Sequence, residues 1–129
     1  MKRWRVLLVD DDHHIRIMLK VFLENRGYMV ELAVSGQDAL TKLVEADYDI
    51  VVTDYNMPEV DGLEVLRHTR RSRPSLPVVL MTGGGRSTTT ARAIVELGAQ
   101  ACLLKPFDLQ TLDMTLAEAL SPQLKPLMA

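Results

Sequence analysis

The sequence is poor in the residues that mark disulfide-stabilised, secreted or membrane-spanning proteins. It contains one cysteine, Cys102, so the chain cannot form an internal disulfide, and this composition suits a reducing cytosol. No stretch approaches the roughly 18 consecutive apolar residues that a membrane helix needs. The apolar run after the basic N-terminus, Val6–Val9, is too short for the core of a signal peptide. We therefore expect a cytoplasmic protein that does not enter a membrane.

A strong charge of either sign is also missing. The formal net charge is −2, so the chain has no bulk attraction for nucleic acid or anionic membranes, and we expect neither as a direct partner. A local basic group at Arg67, Arg70, Arg71 and Arg73 is typical of the solvated end of a helix. Hydrophobic residues make up 47% and charged residues 25% of the 129 residues, which is the composition of a globular domain.

What the chain does contain is a regular alternation of strand-like and helix-like segments. Short apolar runs predict five strands, at residues 5–9, 29–34, 50–53, 77–81 and 101–104. Apolar residues at helical spacing, together with capping residues, predict five helices, at residues 13–26, after a Ser35 cap, at 62–71, at 87–97 and after an Asp108 cap. We expect residues 4–120 to form one domain, followed by a short tail at residues 121–129.

Strands that alternate with helices are joined by β-α crossovers, which produce a parallel sheet with helices on both faces. The predicted strands are continuous apolar runs, as burial of both faces of the sheet requires. The helix at 87–97 is expected to turn Ala91, Ile94 and Val95 inward. The sequence thus predicts an α/β protein with a doubly wound parallel sheet.

Polar side chains directly follow four of the five predicted strands. In open parallel sheets the carboxyl ends of the strands form the ligand-binding edge, so we expect these side chains to meet there. In chain order they are Asp10, Asp11 and Asp12 after the first strand, Asp54 after the third, Thr82 after the fourth, and Lys105 after the fifth. Gly83–Gly85 follow Thr82.

This set of groups predicts phosphoryl chemistry assisted by a metal ion. Carboxylates crowded at one edge repel each other unless a cation is present, and oxygen ligands of this kind suit Mg²⁺. A metal, an ammonium group and a hydroxyl around one centre match the charge that spreads over a phosphoryl group in transfer. One of the carboxylates can then act as the nucleophile and form an aspartyl phosphate.

Several of these residues also have purely structural explanations. Asp12 and Asp61 are expected to be helix caps. His13 and His14 are adjacent on a predicted helix and have no Cys or His partner at ligand spacing, so we expect surface or capping residues. Thr82 alone is compatible with a local hydroxyl turn, and Lys105 alone with a surface charge. The functional interpretation depends on all of these groups occurring together at consecutive strand ends.

Four motifs in the same order and spacing resemble the receiver domains of two-component response regulators, over about residues 4–120. They are Val9-Asp10-Asp11, Thr53-Asp54-Tyr55-Asn56-Met57-Pro58-x-x-Asp61-Gly62, Met81-Thr82-Gly83 and Lys105-Pro106-Phe107. The resemblance implies a flavodoxin-like fold, with five parallel strands in the order 2-1-3-4-5 and five helices. It also implies a cis bond between Lys105 and Pro106.

The resemblance assigns a role to each matching residue. It implies that Asp54 is the phosphoacceptor, that Thr82 hydrogen-bonds the phosphoryl oxygens and that Lys105 pairs with them as a point charge. It further implies a Mg²⁺ ion held by Asp10, Asp11, Asp54 and the backbone carbonyl of Asn56.

The partners also follow from the resemblance. The phosphoryl donor would be a phosphohistidine on a sensor histidine kinase or on a histidine phosphotransfer protein, and the sequence has no ATP-binding motif of its own. The phosphorylated form would bind an effector that the sequence does not identify. The protein would be a self-phosphorylating and self-dephosphorylating switch rather than a turnover enzyme, and a monomer or a weak, phosphorylation-dependent dimer.

One residue departs from the family pattern, and two alternatives stay open. Three residues before the lysine the family usually has Tyr, Phe or His, whereas this chain has Cys102, so a switch based on a moving ring is in doubt. A phosphatase of the haloacid dehalogenase type, with Asp10 as the nucleophile, is the first alternative. The second is a receiver-like domain that only docks partners, against which the complete acid set and Lys105 argue.

Overall fold

Five strands and five helices alternate along the chain. A computed structural model describes residues 3–83 and 88–121, with side chains described except at 88–90. The elements are β1 (Arg5–Val9), α1 (His13–Asn25), β2 (Met29–Ala33), α2 (Gly36–Glu45), β3 (Ile50–Asp54), α3 (Gly62–Ser72), β4 (Val78–Thr82), α4 (Thr88–Glu96), β5 (Ala101–Leu104) and α5 (Leu109–Leu120). The expected helix start at Ser87, Gly84 and Gly85, and the tail from residue 122 onward lie outside the described residues.

The five strands form one parallel sheet in the order β2-β1-β3-β4-β5. Val9 at the end of β1 is in register with Thr53 in β3, and Asp54 at the end of β3 is in register with Met81 in β4. The carboxyl ends of neighbouring strands therefore lie along the same edge of the sheet. This arrangement confirms the predicted fold class, including the strand order and the five helices.

Two apolar layers cover the sheet, as its continuous hydrophobic strands require. One layer joins the sheet to α1 and α5 through buried residues such as Leu19 and Leu116, and the other joins it to α2, α3 and α4. Strand β2 lies at one edge of the sheet, and Met29 at its start is exposed. Within α4, Ile94 is buried, but the expectation for Val95 was wrong, since 43% of this residue is exposed.

Among the described residues, four helices begin at side chains that cap their first turn. The oxygen of each capping residue accepts a hydrogen bond from the backbone N–H three residues later, which satisfies a donor with no partner inside the helix. The capping residues are Asp12, Ser35, Asp61 and Asp108. The expected structural roles of Asp12 and Asp61 are thereby confirmed.

Two of the strands run one residue further than the apolar pattern predicts, and each ends on a polar residue. The N–H of Tyr55 donates to the carbonyl of Met81 at 2.8 Å, which keeps the end of β3 paired with β4. The N–H of Lys105 likewise donates to the carbonyl of Thr82 at 2.6 Å. Asp54 and Thr82 consequently belong to the sheet itself, and the rigid backbone of the sheet positions them.

Close backbone approaches fix the loop between β3 and α3. A Cβ atom on Gly62 would collide with the carbonyl oxygen of Asp54, and one on Gly36 would collide with the carbonyl oxygen of Val60. Only glycine permits these contacts, so the starts of α2 and α3 are held against the segment that follows the strand.

The same loop contains one strained residue, Glu59, which has a φ of 67°. A residue with a Cβ atom is disfavoured in this left-handed region by about 1–2 kcal/mol, and glycine is not. We expect Glu59→Gly to raise the free energy of unfolding by about 0.5–1 kcal/mol, after the entropy that glycine gains in the unfolded chain is subtracted. Urea denaturation measures this change.

Glu59→Ala is the matched control, because it removes the same carboxylate and keeps the Cβ atom. We expect no comparable gain from it. An equal gain in both variants would mean that the charge of the side chain, and not its backbone conformation, is responsible.

Candidate functional site

Three carboxylates meet at the carboxyl edge of the sheet. Oxygen atoms of Asp10, Asp11 and Asp54 all lie within 4.8 Å of one another. Asp10 and Asp11 directly follow β1, Asp54 ends the neighbouring strand β3, and the register of these two strands accounts for the encounter. Asp10 and Asp54 are buried, whereas Asp11 is exposed. The predicted convergence of these acids is therefore present in the structure.

Lys105 joins this cluster from the loop that follows β5. Its Nζ atom donates a hydrogen bond to Oδ1 of Asp54 at 3.2 Å and lies 3.7 Å from Oδ2 of Asp10. The second distance is within ion-pair range but too long for a hydrogen bond. Lys105 is thus a shared cation of the two buried acids, and it is not an isolated surface charge.

The electrostatics of the cluster disfavour its ionised form. Burial, followed by repulsion from neighbouring acids, raises the pKa of Asp10 above its usual range, although the backbone N–H of Asp12 opposes this change. Burial also raises the pKa of Asp54, and the charge of Lys105 partly offsets the effect. Both buried carboxylates are therefore less readily ionised than free ones.

The oxygen ligands in this cluster fit a hard divalent cation. Three ionised carboxylates and one ammonium group leave a formal charge of −2, which a dication neutralises. Oδ2 of Asp10 is buried and makes no hydrogen bond, so one oxygen is desolvated without a donor. A pocket that contains such an oxygen is compatible with Mg²⁺ binding.

Asp10 is held in place by its neighbours on both its side chain and its backbone. Its Oδ1 atom accepts a hydrogen bond from the N–H of Asp12 at 2.9 Å, and its own N–H donates to the carbonyl of Ala33 at 3.3 Å. Nη1 of Arg16 donates to the carbonyl oxygen of Asp10 at 2.7 Å. Sequence reasoning missed Arg16. The sequence offers a weak signal for it, because Arg16 lies in the first turn of a helix that begins beside the acids.

Thr82 ends β4, which lies between β3 and β5 in the sheet. Strand β3 ends in Asp54, and Lys105 follows β5. Its hydroxyl oxygen is buried and has no hydrogen-bond partner among the described residues, so the alternative of a local hydroxyl turn is not observed. A buried hydroxyl without a partner is unfavourable unless a ligand supplies one. Gly83 follows, and a Cβ atom at this position would lie 3.1 Å from the Lys105 side chain, so a small residue suits the position.

Other residues singled out from the sequence contribute no carboxylate to this cluster. His13 and His14 are exposed, with their rings 5.8 Å apart, as expected for surface residues. Asn56 is an exposed residue of the loop after β3. Cys102 is partly buried, and burial raises the pKa of its thiol, which disfavours the reactive thiolate form. The bond between Lys105 and Pro106 is cis, as predicted.

The strand order and the acidic pocket at the carboxyl edge define a flavodoxin-like α/β domain. A family profile described as "Response regulator receiver domain" matches residues 6–117. The chain belongs to this family: it is a receiver domain of two-component response regulators.

Individual relatives agree with this assignment. The transcriptional regulatory protein ZraR of Klebsiella oxytoca is 40% identical over 116 residues, which are 90% of this chain and 26% of that protein. The response regulator MprA of Mycolicibacterium vanbaalenii is 41% identical over 109 residues, which are 84% of this chain and 46% of that protein. The chain thus spans about a quarter to a half of the length of these relatives.

Solved structures show the same fold. A receiver domain protein from Clostridium thermocellum superposes with a TM-score of 0.87 at 30% identity, over 93% of this chain and 96% of that one. The chemotaxis response regulator CheY4 of Vibrio cholerae gives a TM-score of 0.83 at 32% identity, over 92% of this chain and 99% of that one. The comparisons do not support the haloacid dehalogenase alternative. Within residues 3–83 and 88–121, no helix is long and apolar enough to span a membrane.

Proposed function

We propose that the chain is a magnesium-dependent phosphoacceptor in which Asp54 receives a phosphoryl group from a phosphohistidine. The donor is a sensor histidine kinase or a histidine phosphotransfer protein. The observation that carries the proposal is that one buried carboxylate, Asp54, lies within reach of both Lys105 and two further acids. A receiver domain implies a phosphodonor kinase and a downstream effector in general terms, and the kind of donor is our proposal.

The transfer is a displacement at phosphorus. A carboxylate oxygen of Asp54 forms the new P–O bond while the P–N bond to the donor imidazole breaks, and the bonding electron pair stays on that nitrogen. Before the transfer, the ammonium group of Lys105 donates a hydrogen bond to Asp54. After the transfer, it pairs with a phosphoryl oxygen. The buried hydroxyl of Thr82 donates a hydrogen bond to another phosphoryl oxygen, and this supplies the partner that it lacks.

The magnesium ion would be held by carboxylate oxygens of Asp10, Asp11 and Asp54 and by the backbone carbonyl of Asn56. When bound, Mg²⁺ neutralises the negative charge that the acids and the incoming phosphoryl group bring together. The desolvated oxygen of Asp10 and the raised pKa values of Asp10 and Asp54 support this assignment.

Phosphorylation of Asp54 changes the surface of the domain, and the domain itself turns over no external substrate. Phosphorylation would switch the binding of an effector, with the domain acting as a monomer or a weak dimer. Because histidine kinases draw their phosphoryl groups from ATP, we place the domain in the cytoplasm. Three residues before the lysine, where the family usually has Tyr, Phe or His, this chain has Cys102. The switch therefore proceeds without an aromatic ring at that position.

Mass spectrometry after phosphorylation tests the proposal. The protein is incubated with acetyl phosphate and Mg²⁺, and the acyl phosphate is reduced with borohydride to mark the modified residue. We expect the mark on Asp54 and a loss of labelling of at least about tenfold when EDTA removes the metal. A mark on Asp10, or full labelling in EDTA, would contradict the proposal.

A further inference from the structure

We infer that Arg16 is a positioning residue for the acids that would bind the metal: by holding the carbonyl of Asp10, it fixes the peptide group that joins Asp10 to Asp11. This inference rests on the proposed function, because it concerns the affinity of the same acid pair for Mg²⁺. It adds a residue that makes no contact with the metal or the phosphoryl group.

The guanidinium group of Arg16 is held between the first turn of α1 and the end of β1. The backbone N–H of Arg16 donates to the carbonyl of Asp12 at 3.0 Å, so the residue is anchored in the helix. Its Nη1 atom reaches the carbonyl oxygen of Asp10 at 2.7 Å, and Nη2 lies 3.4 Å from Nδ1 of His13. The side chain is half-buried, which limits the alternative positions open to it.

This contact completes the constraints on the acid pair. The Asp10 carboxylate already accepts a hydrogen bond from the N–H of Asp12, which closes an Asx turn around the Asp10–Asp11 peptide group but leaves the carbonyl oxygen of Asp10 unengaged. The carbonyl of Asp10 and the N–H of Asp11 belong to the same peptide group. Arg16 therefore controls the direction in which the exposed Asp11 carboxylate points. Outer hydrogen bonds of this kind typically change metal affinity by about 10–100-fold.

The charge of Arg16 and its hydrogen bond act in opposite directions on metal binding. A cation beside three acids repels Mg²⁺, so removal of the charge alone strengthens binding. Removal of the hydrogen bond loosens the ligands and weakens binding. The sign of the change consequently distinguishes positioning from simple electrostatics.

The experiment is a titration with Mg²⁺ alone, followed by the amide chemical shifts of residues 9–12. We expect Arg16→Met, which keeps an aliphatic side chain without a donor, to raise the Kd for Mg²⁺ about tenfold. Arg16→Lys retains a charge and one donor, and we expect a Kd within about threefold of wild type. Thermal melts in metal-free buffer establish that both variants are folded.

Lys20→Met is the matched control, since it removes a cation from the same helix that pairs with Glu24 at 2.7 Å. We expect its Kd to be unchanged or slightly lower. The inference is overturned if Arg16→Met binds Mg²⁺ as tightly as wild type or more tightly, or if Arg16→Lys is as weak as Arg16→Met. If the wild-type protein itself fails to bind Mg²⁺, the metal assignment in the proposed function fails, and the inference fails with it.

Discussion

Replacing Asp54 with asparagine is expected to abolish labelling by acetyl phosphate or by a phosphorylated kinase. An amide is a far weaker nucleophile than a carboxylate, so we expect labelling to fall by more than about 100-fold. The change is nearly isosteric, and the Oδ1 atom of asparagine can still accept the hydrogen bond from Lys105. Because burial disfavours the charge of Asp54, the neutral variant should be at least as stable as wild type. The loss would therefore be chemical rather than a consequence of unfolding.

Asp47→Asn is the control for this measurement. The Asp47 side chain is 95% exposed and pairs with Arg73. It precedes the first residue of β3, whereas Asp54 lies at the opposite end of that strand. We expect this variant to be labelled as well as wild type. Persistent labelling of Asp54→Asn would exclude Asp54 as the phosphoacceptor, whereas equal losses in both variants would indicate a general effect of removing an acid.

The positions of the acids are predictable from the sequence because parallel strands present their carboxyl ends at one edge. Each chemically distinctive residue directly follows an apolar run, so topology alone brings Asp10, Asp54 and Lys105 together. The exact strand ends are less predictable. Asp54 and Thr82 are polar and fall outside the apolar pattern, but strand pairing uses backbone groups, and those groups continue to pair at both positions.

Features that depend on tertiary contacts leave no pattern in the sequence. The reach of Arg16 to the Asp10 carbonyl is a contact between a long side chain and a backbone oxygen, which no spacing rule encodes. The left-handed conformation of Glu59 results from the loop around it and not from its residue type. On α4, helical periodicity predicts which face is buried but not where that face ends. It therefore does not distinguish buried Ile94 from exposed Val95.

In metal-free buffer at neutral pH, Asp10→Asn is expected to be more stable than wild type. The wild-type protein must keep a buried carboxylate beside Asp54 and Asp11, and its Oδ2 atom makes no hydrogen bond. The asparagine keeps an Oδ1 acceptor for the N–H of Asp12 and removes the charge. We expect a gain of about 1–2 kcal/mol, which corresponds to a rise in Tm of roughly 3–8 °C.

The gain should depend on pH in a defined direction. Burial raises the pKa of Asp10 in the folded protein above its ordinary value of 3.8, so the folded state holds this proton more tightly than the unfolded state does. The stability of the wild type accordingly falls as the pH rises from the unfolded pKa through the folded pKa, and it stays lower above that point. Well below pH 3.8 the acid is protonated in both states, and the advantage of Asp10→Asn should vanish.

Added Mg²⁺ should reverse the order of the two proteins. Binding to the folded state stabilises the wild type in proportion to the logarithm of the metal concentration. The variant has lost one carboxylate ligand, and its Tm should respond far less.

Asp47→Asn again controls for the loss of an exposed acid and should follow the wild type in both buffers. If Asp10→Asn is clearly less stable than wild type in metal-free buffer, the carboxylates do not repel one another as the structure implies. The electrostatic argument for a cation at this edge of the sheet would then fail.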